Sequence, residues 1–330
     1  MGCSRKAARL LLVIACVLSM AQRTYAQEPE AKEDGAPTFT VSDLPVGRPL
    51  RVVVYGDMRF TNPSNTSDTH PGVRKWLVQK VGEERPDILL LTGDMPFHGS
   101  DPADWKIYSQ ETAVWTQERL RIYPTIGNHE GLPDPISGLR NYFAAYPQIE
   151  NHDYYSVQLG NIYLITLDSS TFLNVGWPQF GWLEAQLAHL PASADFVFFL
   201  FHQPLVSDLQ TAFMLGIPDP SSLRLRHELE ASAARSHAKF VIFNGHIHNY
   251  ERFDMNGIMH VITGGGGARP YPIFIRGDQD LYQARTYPNF NYLVITVEGK
   301  HADAKMYRVV DPDAAVKSVE LKDSFRLDAK

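Results

Sequence analysis

Residues 51–57 read RVVVYGD and residues 87–94 read DILLLTGD, two short apolar runs that each close on Gly-Asp. Apolar side chains fill consecutive positions instead of alternate ones, the pattern of a strand covered on both faces of its sheet. Three more runs behave alike. Ile122–Ile126 leads into Gly127-Asn128-His129-Glu130, Phe196–Phe201 into His202, and Phe240–Phe243, through Asn244, into Gly245-His246-Ile247-His248. Five runs therefore end in Asp, Asn or His, four of them through a glycine.

Between the runs lie stripes at helical spacing: Val73, Trp76, Leu77 and Val81; Trp105, Tyr108, Thr112 and Trp115; Phe180, Leu183, Leu187 and Leu190; Leu225 with Leu229. Such stripes are core faces. Alternating strands and helices predict α/β layers. Residues 154–167 predict a hairpin turning at Gly160-Asn161. The stretch 258–309 is rich in strands, with runs at Ile258–Thr263, Tyr292–Val297 and Ala304–Val309. No repeat is present, and no composition shift within 50–310 marks a second domain.

Ligands of open α/β sheets bind beyond the carboxyl ends of the strands, so the Asp, Asn and His groups are expected to converge at one edge. Glycine allows the sharp turn there and leaves room for what is bound. Each residue alone has an ordinary reading, an Asp capping a helix or a His in the core. Two aspartates, an asparagine and three histidines buried together are costly unless a cation compensates them. Carboxylate, amide and imidazole without thiolate suit zinc, manganese or iron. A carboxylate shared by two ions about 3.5–4 Å apart suits in-line displacement at phosphorus. The chain has no P-loop, dinucleotide-binding glycine motif or Gly-x-Ser-x-Gly, so kinase, dinucleotide and serine-hydrolase readings lack an anchor.

The 330 residues carry 31 Lys+Arg against 37 Asp+Glu and are 44% hydrophobic, which excludes disordered, collagenous and coiled-coil classes. A net charge of −6 gives no sign of a general nucleic-acid surface. Arg5, Lys6 and Arg9, the apolar run Leu10–Ala21 and Thr24-Tyr25-Ala26 have the order of a secretory leader, with 1–26 removed. Cleavage would remove both cysteines and four positive charges, leaving a thiol-free chain of net charge −10, suited to an oxidising compartment. The expected location is secreted or periplasmic. Val13-Ile14-Ala15-Cys16 offers a competing lipoprotein cut that would anchor the chain by a lipid on Cys16. No later run reaches membrane length. Residues 27–49 read as a linker, 50–310 as the folded domain and 311–330 as a tail.

Gly56-Asp57, Gly93-Asp94, Gly127-Asn128-His129-Glu130, His202 and Gly245-His246-Ile247-His248, in this order, resemble the calcineurin-like metallophosphoesterase superfamily. Residues 245–252 (GHIHNYER), His202-Gln203-Pro204-Leu205, residues 154–168 and Gly264–Gly267 are similar to purple acid phosphatases in particular. The resemblance covers about residues 50–300. It implies a four-layer α/β/β/α sandwich of the metallophosphoesterase type with metals at one edge. It also implies one ion held by Asp94, Asn128, His202 and His246, and another held by Asp57, Asp94 and His248. His129 would ligate nothing, and would stabilise or protonate the leaving group while a metal-bound hydroxide attacks phosphorus.

Two positions depart from the pattern. Asp57-Met58-Arg59 stands where the superfamily has Asp-x-His, and Phe97 stands where purple acid phosphatases have a tyrosine. The second ion, of zinc, manganese or iron, is thus expected to be the weaker, its shell completed by water or His98. Arg59 reads either as a phosphate clamp beside His129 or as a strand-end ion pair. The expected function is an exported metal-dependent phosphoesterase acting on phosphomonoesters. The alternatives are a phosphodiesterase or nucleotide hydrolase at the same site, or a non-catalytic metal-binding member of the fold. A phosphate ester is the expected substrate.

Overall fold

Each of the five runs is a strand in the computed structural model, which describes residues 35–171, 176–215 and 220–330. The leader and the Cys16 anchor lie outside the described residues. The first sheet has seven strands in the order β1 (Phe39–Val41), β5 (Tyr155–Leu159), β6 (Ile162–Thr166), β7 (Phe196–Leu200), β8 (Lys239–Asn244), β10 (Ile258–Thr263) and β9 (Tyr250–Met255). The second has six, ordered β13 (Val319–Asp328), β12 (His301–Val309), β11 (Asn291–Glu298), β2 (Leu50–Tyr55), β3 (Ile88–Leu91) and β4 (Ile122–Pro124). Strands β2, β3 and β4 run parallel, as do β6, β7 and β8, so their carboxyl ends lie together in each sheet.

The helices follow local chemistry. Helices α1 (Pro71–Glu83), α2 (Pro102–Glu111), α4 (Pro135–Ala145) and α5 (Pro178–Ala188) all open on proline, whose missing N–H costs nothing in a first turn. His70, Asp101 and Asp134 cap the first three by accepting from first-turn amides. The stripe through Trp105 and Trp115 does not form one helix. It breaks at Thr112, whose hydroxyl donates to Tyr108 O at 2.7 Å, and α3 (Ala113–Gln117) begins after it. Helix α5 stops at Ala188, two residues short of the expected stripe. Helices α6 (Leu209–Leu215) and α7 (Pro220–Arg235) complete the set among the described residues.

Alternation along β7 and β8 divides the core. Phe196, Phe198, Leu200, Val241 and Phe243 pack with the six-stranded sheet, α1 and α2. Val197, Phe199, Phe201, Phe240 and Ile242 pack with Leu183 of α5 and Leu225 and Leu229 of α7. The layer order is helices, sheet, sheet, helices, the expected α/β/β/α sandwich.

Two boundaries need correction. Phe39–Val41, inside the expected linker, pairs with β5 as an edge strand, and Thr38 exchanges hydrogen bonds with Ser156. Residues 319–328, expected as tail, form β13 along the whole of β12. Both segments are too polar and too short in apolar runs to announce themselves, because an edge strand buries only one side. Among the described residues no helix is long and apolar enough to cross a membrane.

Candidate metal centre

The strand ends meet as expected. The chain leaving β2 is zipped to the chain leaving β3, with Asp57 N donating to Gly93 O and Arg59 N to Asp94 O, both at 3.0 Å. Asp57, Arg59, Asp94 and His246 all take positive φ, between 50° and 67°. Such conformations cost about 1–3 kcal/mol each and persist only where surrounding bonds hold them. At Asp94 the holding group is Glu130. Its buried carboxylate accepts from the amides of Asp94 (3.0 Å), Met95 (2.7 Å) and Gly127 (2.7 Å), tying two loops together. Burial, then the charge of Asp94, pushes Glu130 up to about 7.

His202 is the hub of one donor group. Its Nδ1 donates to Thr92 O at 2.8 Å, which turns Nε2 inward. That Nε2 lies 3.1 Å from Asn128 Oδ1, 3.2 Å from His246 Nδ1 and 3.3 Å from Asp94 Oδ1. His246 Nδ1 is also 3.1 Å from Asn128 Oδ1. Lone pairs crowded in this way repel unless a proton or a cation sits among them. Atoms about 2.0–2.2 Å from one zinc ion would stand roughly 3–3.5 Å apart, so the spacing fits a cation. The electrostatics agree. Burial acts to lower His202, but the Asp94 carboxylate overrides it and pushes the imidazole up to about 9. Burial and the neighbouring His202 push His246 down to about 3.

A second group shares Asp94. Donor atoms of Asp57, Asp94 and His248 lie within 4.8 Å of one another, all buried. His248 Nδ1 donates to Arg269 O at 2.9 Å, leaving Nε2 buried, 3.6 Å from Asp57 Oδ1 and without a hydrogen-bond partner. An orphaned imidazole nitrogen facing a carboxylate fits a ligand whose other nitrogen fixes the tautomer. Burial, opposed by His202 and helped by the charge of Asp94, raises Asp57 well above the usual carboxylate range. Asp94 is instead held well below it, because His202 and His129 outweigh the effect of burial.

His129 sits beside both groups. Its amide donates to Asp94 Oδ1 at 3.0 Å, and its Nδ1 donates to Phe97 O at 2.6 Å. Its Nε2 is 3.9 Å from Asp94 Oδ2. Burial and the charge of Arg59 push it down to about 4. Arg59 is no surface ion pair: its Nη2 donates to Asp94 Oδ2 at 3.1 Å from a side chain only 15% exposed. His98 is not drawn in. It is about half exposed, with Nδ1 4.0 Å from Asp104 Oδ2, so it does not complete the Asp57 group.

The glycines leave room, as expected. A Cβ on Gly245 would strike Asp57 Oδ2, one on Gly264 would strike Ile247 O, and one on Gly266 would strike Gly56 O. Sequence reasoning missed Tyr271, which stacks on the His248 ring at 4.4 Å and 14°, and the role of Glu130. Tyr271 lies 23 residues from His248 in a loop without a motif, whereas Glu130 stood inside a quoted one.

The strand ends of the two-sheet α/β sandwich thus gather Asp57, Asp94, Asn128, His202, His246 and His248, a donor set that could hold a metal ion. Residues 50–250 match the calcineurin-like phosphoesterase family, and the chain belongs to it. Purple acid phosphatase 22 of Arabidopsis thaliana is 24% identical over 251 residues, covering 71% of this chain and 54% of that protein. A probable cyclic nucleotide phosphodiesterase of Rhodococcus erythropolis is 27% identical over 168 residues, covering 50% and 52%. The chain thus spans about half the length of these curated relatives. In three dimensions it is similar to purple acid phosphatase PPD1 from yellow lupin (Lupinus luteus) seeds. The TM-score is 0.66 at 19% identity, over 85% of this chain and 54% of that one.

Proposed function

We propose that the chain is a metal-dependent phosphoester hydrolase that prefers phosphomonoesters and works at this cluster. The observation that carries the reading is His202 Nε2, hemmed by an amide oxygen, a carboxylate oxygen and a second imidazole. Asp94, Asn128, His202 and His246 would hold one ion tightly, and Asp57, Asp94 and His248 a second more weakly. Zinc, manganese or iron suits these donors, and such an ion supplies Lewis-acid charge and water acidic enough to act as nucleophile near neutrality.

The remaining residues handle phosphate. Arg59 Nε is buried without a hydrogen-bond partner among the described residues and is free to donate to a phosphate oxygen. His129 keeps Nδ1 on Phe97 O, so Nε2 is the nitrogen that can carry a proton to the leaving oxygen. An adjacent phosphate dianion favours that protonation. The chain also reads as exported, from its basic, apolar and small-residue leader, with Gln27 as the first mature residue. A mass spectrum of the purified N-terminus tests this, and a lipidated Cys16 would replace it.

The Rhodococcus relative supports a second reading, diester hydrolysis at the same site. An aryl phosphate and a bis-aryl phosphate, each assayed with manganese, zinc and iron, separate the two. Faster turnover of the monoester is expected. Preference for the diester selects the second reading, and no turnover with any metal leaves a non-catalytic member of the fold.

A further inference from the structure

The two oxygens of Asp94 have different partners. Oδ1 faces His202 Nε2 at 3.3 Å and accepts from His129 N, whereas Oδ2 is bonded to Arg59 Nη2 at 3.1 Å. A cation seated with Asp57 and His248 needs a share of Asp94 as well, and Arg59 already holds the oxygen turned away from the His202 group. We propose that Arg59 is a built-in competitor of the second metal, a resident cation that neutralises the Asp57/Asp94 side and makes this a centre of one tightly held ion and one arginine.

The placement of Arg59 is constructed from both backbone sides. Its N–H donates to Asp94 O at 3.0 Å, and its carbonyl accepts from Arg74 Nη1 at 3.2 Å. Arg74 is fully buried and held by two bonds to Glu111, 3.0 Å from Nε and 2.8 Å from Nη2. These bonds fix Arg59 at φ 50°, in the left-handed region, and direct the guanidinium into the cluster. A guanidinium keeps its charge at every working pH, so the competition is permanent. Two cations a few ångströms apart in a buried site repel strongly, so binding at one position weakens the other.

The inference rests on the metal reading of the cluster but not on hydrolysis. Equilibrium dialysis of the full chain against manganese or zinc alone, followed by elemental analysis, tests it without a substrate. The wild type is expected to hold one equivalent tightly and the second at least about tenfold more weakly. Arg59→Ala and Arg59→Gln should tighten the second equivalent at least about tenfold while keeping the first, and Arg59→Lys should stay near wild type. Adding His248→Ala to Arg59→Gln should cancel the gain. Two equally tight equivalents in the wild type, or a second equivalent unchanged or weaker in both neutral variants, would overturn the proposal. An inactive protein that shows the expected stoichiometry would sink hydrolysis and leave the role of Arg59 standing.

Discussion

His202 Nε2 stands 3.1 Å from Asn128 Oδ1, although its ring has already spent its other nitrogen on Thr92 O. Both atoms present lone pairs when His202 is neutral, so the pair is coherent only around a positive charge. Asn128→Ala and His246→Ala should therefore lose metal and turnover together. Even outer partners of a metal ligand are worth about 10–100-fold in affinity, and loss of a ligand should cost at least that much. Calorimetric titration with zinc or manganese reads it. A variant that keeps wild-type affinity would remove that residue from the ligand set.

His129 should separate from the ligands. It bonds Asp94 through its backbone amide, which survives truncation of the ring. His129→Ala is expected to keep its metal and lose about 10²–10⁴ in kcat, the usual range for general acid catalysis. The loss should be smaller on an aryl phosphate than on an alkyl phosphate, because a good leaving group needs little protonation. Equal losses on both esters would make His129 a phosphate-positioning group.

Glu130→Ala should unfold the loops that place Asp94 and Asn128. Three buried amides would lose their acceptor. At about 1–3 kcal/mol for each unsatisfied buried group, several kcal/mol of stability are at stake. Urea denaturation should show the shift, with Glu130→Gln, which keeps one acceptor oxygen, in between. A Glu130→Ala midpoint equal to wild type would mean that the loops hold without it.

Acid tolerance should come from a buried cluster away from the donors. Glu251 accepts from Asp208 N at 2.9 Å and from Thr211 Oγ1 at 3.1 Å, and the charged groups facing it are Asp208, Asp280 and Arg276. Burial pushes Glu251 up to about 8 and Asp280 up to about 7. A carboxyl whose folded value is raised binds its proton more tightly when folded. Its contribution is full below the unfolded value near 4 and is lost as pH rises through 7–8. Tm should fall from pH 7 to pH 8, above the range in which the depressed His129 and His246 act in the opposite sense, and Glu251→Gln should flatten that fall. A Tm that rises over this window in both proteins would contradict it.

The convergence of the candidate donors could be read from the sequence because strand geometry fixes where they lie. A run buried on both faces must end where the sheet ends, and Asp57, Asp94, Asn128, His202 and His246 each follow such a run. Hairpin 155–166 was readable for the same local reason, its Gly-Asn turn lying between two runs. What escaped depends on distant contacts. Strand β13 carries alternating charges with one buried leucine, Leu327, and gains its place by pairing with β12 and by the bonds of Tyr250 and Arg252 to Asp323. The inward turn of Arg59 depends on Arg74, fifteen residues on, and the stacking of Tyr271 on His248 on the course of a loop. Neither leaves a local pattern.

The most direct test is turnover of an aryl phosphomonoester by chelator-stripped protein as zinc, manganese or iron is added back. Activity should be absent without metal, return with the first equivalent, and fail to return in Asn128→Ala at the same concentration. Full activity in the stripped protein, or no activity with any of the three metals, would contradict the reading of this cluster as a metal-dependent phosphoesterase centre.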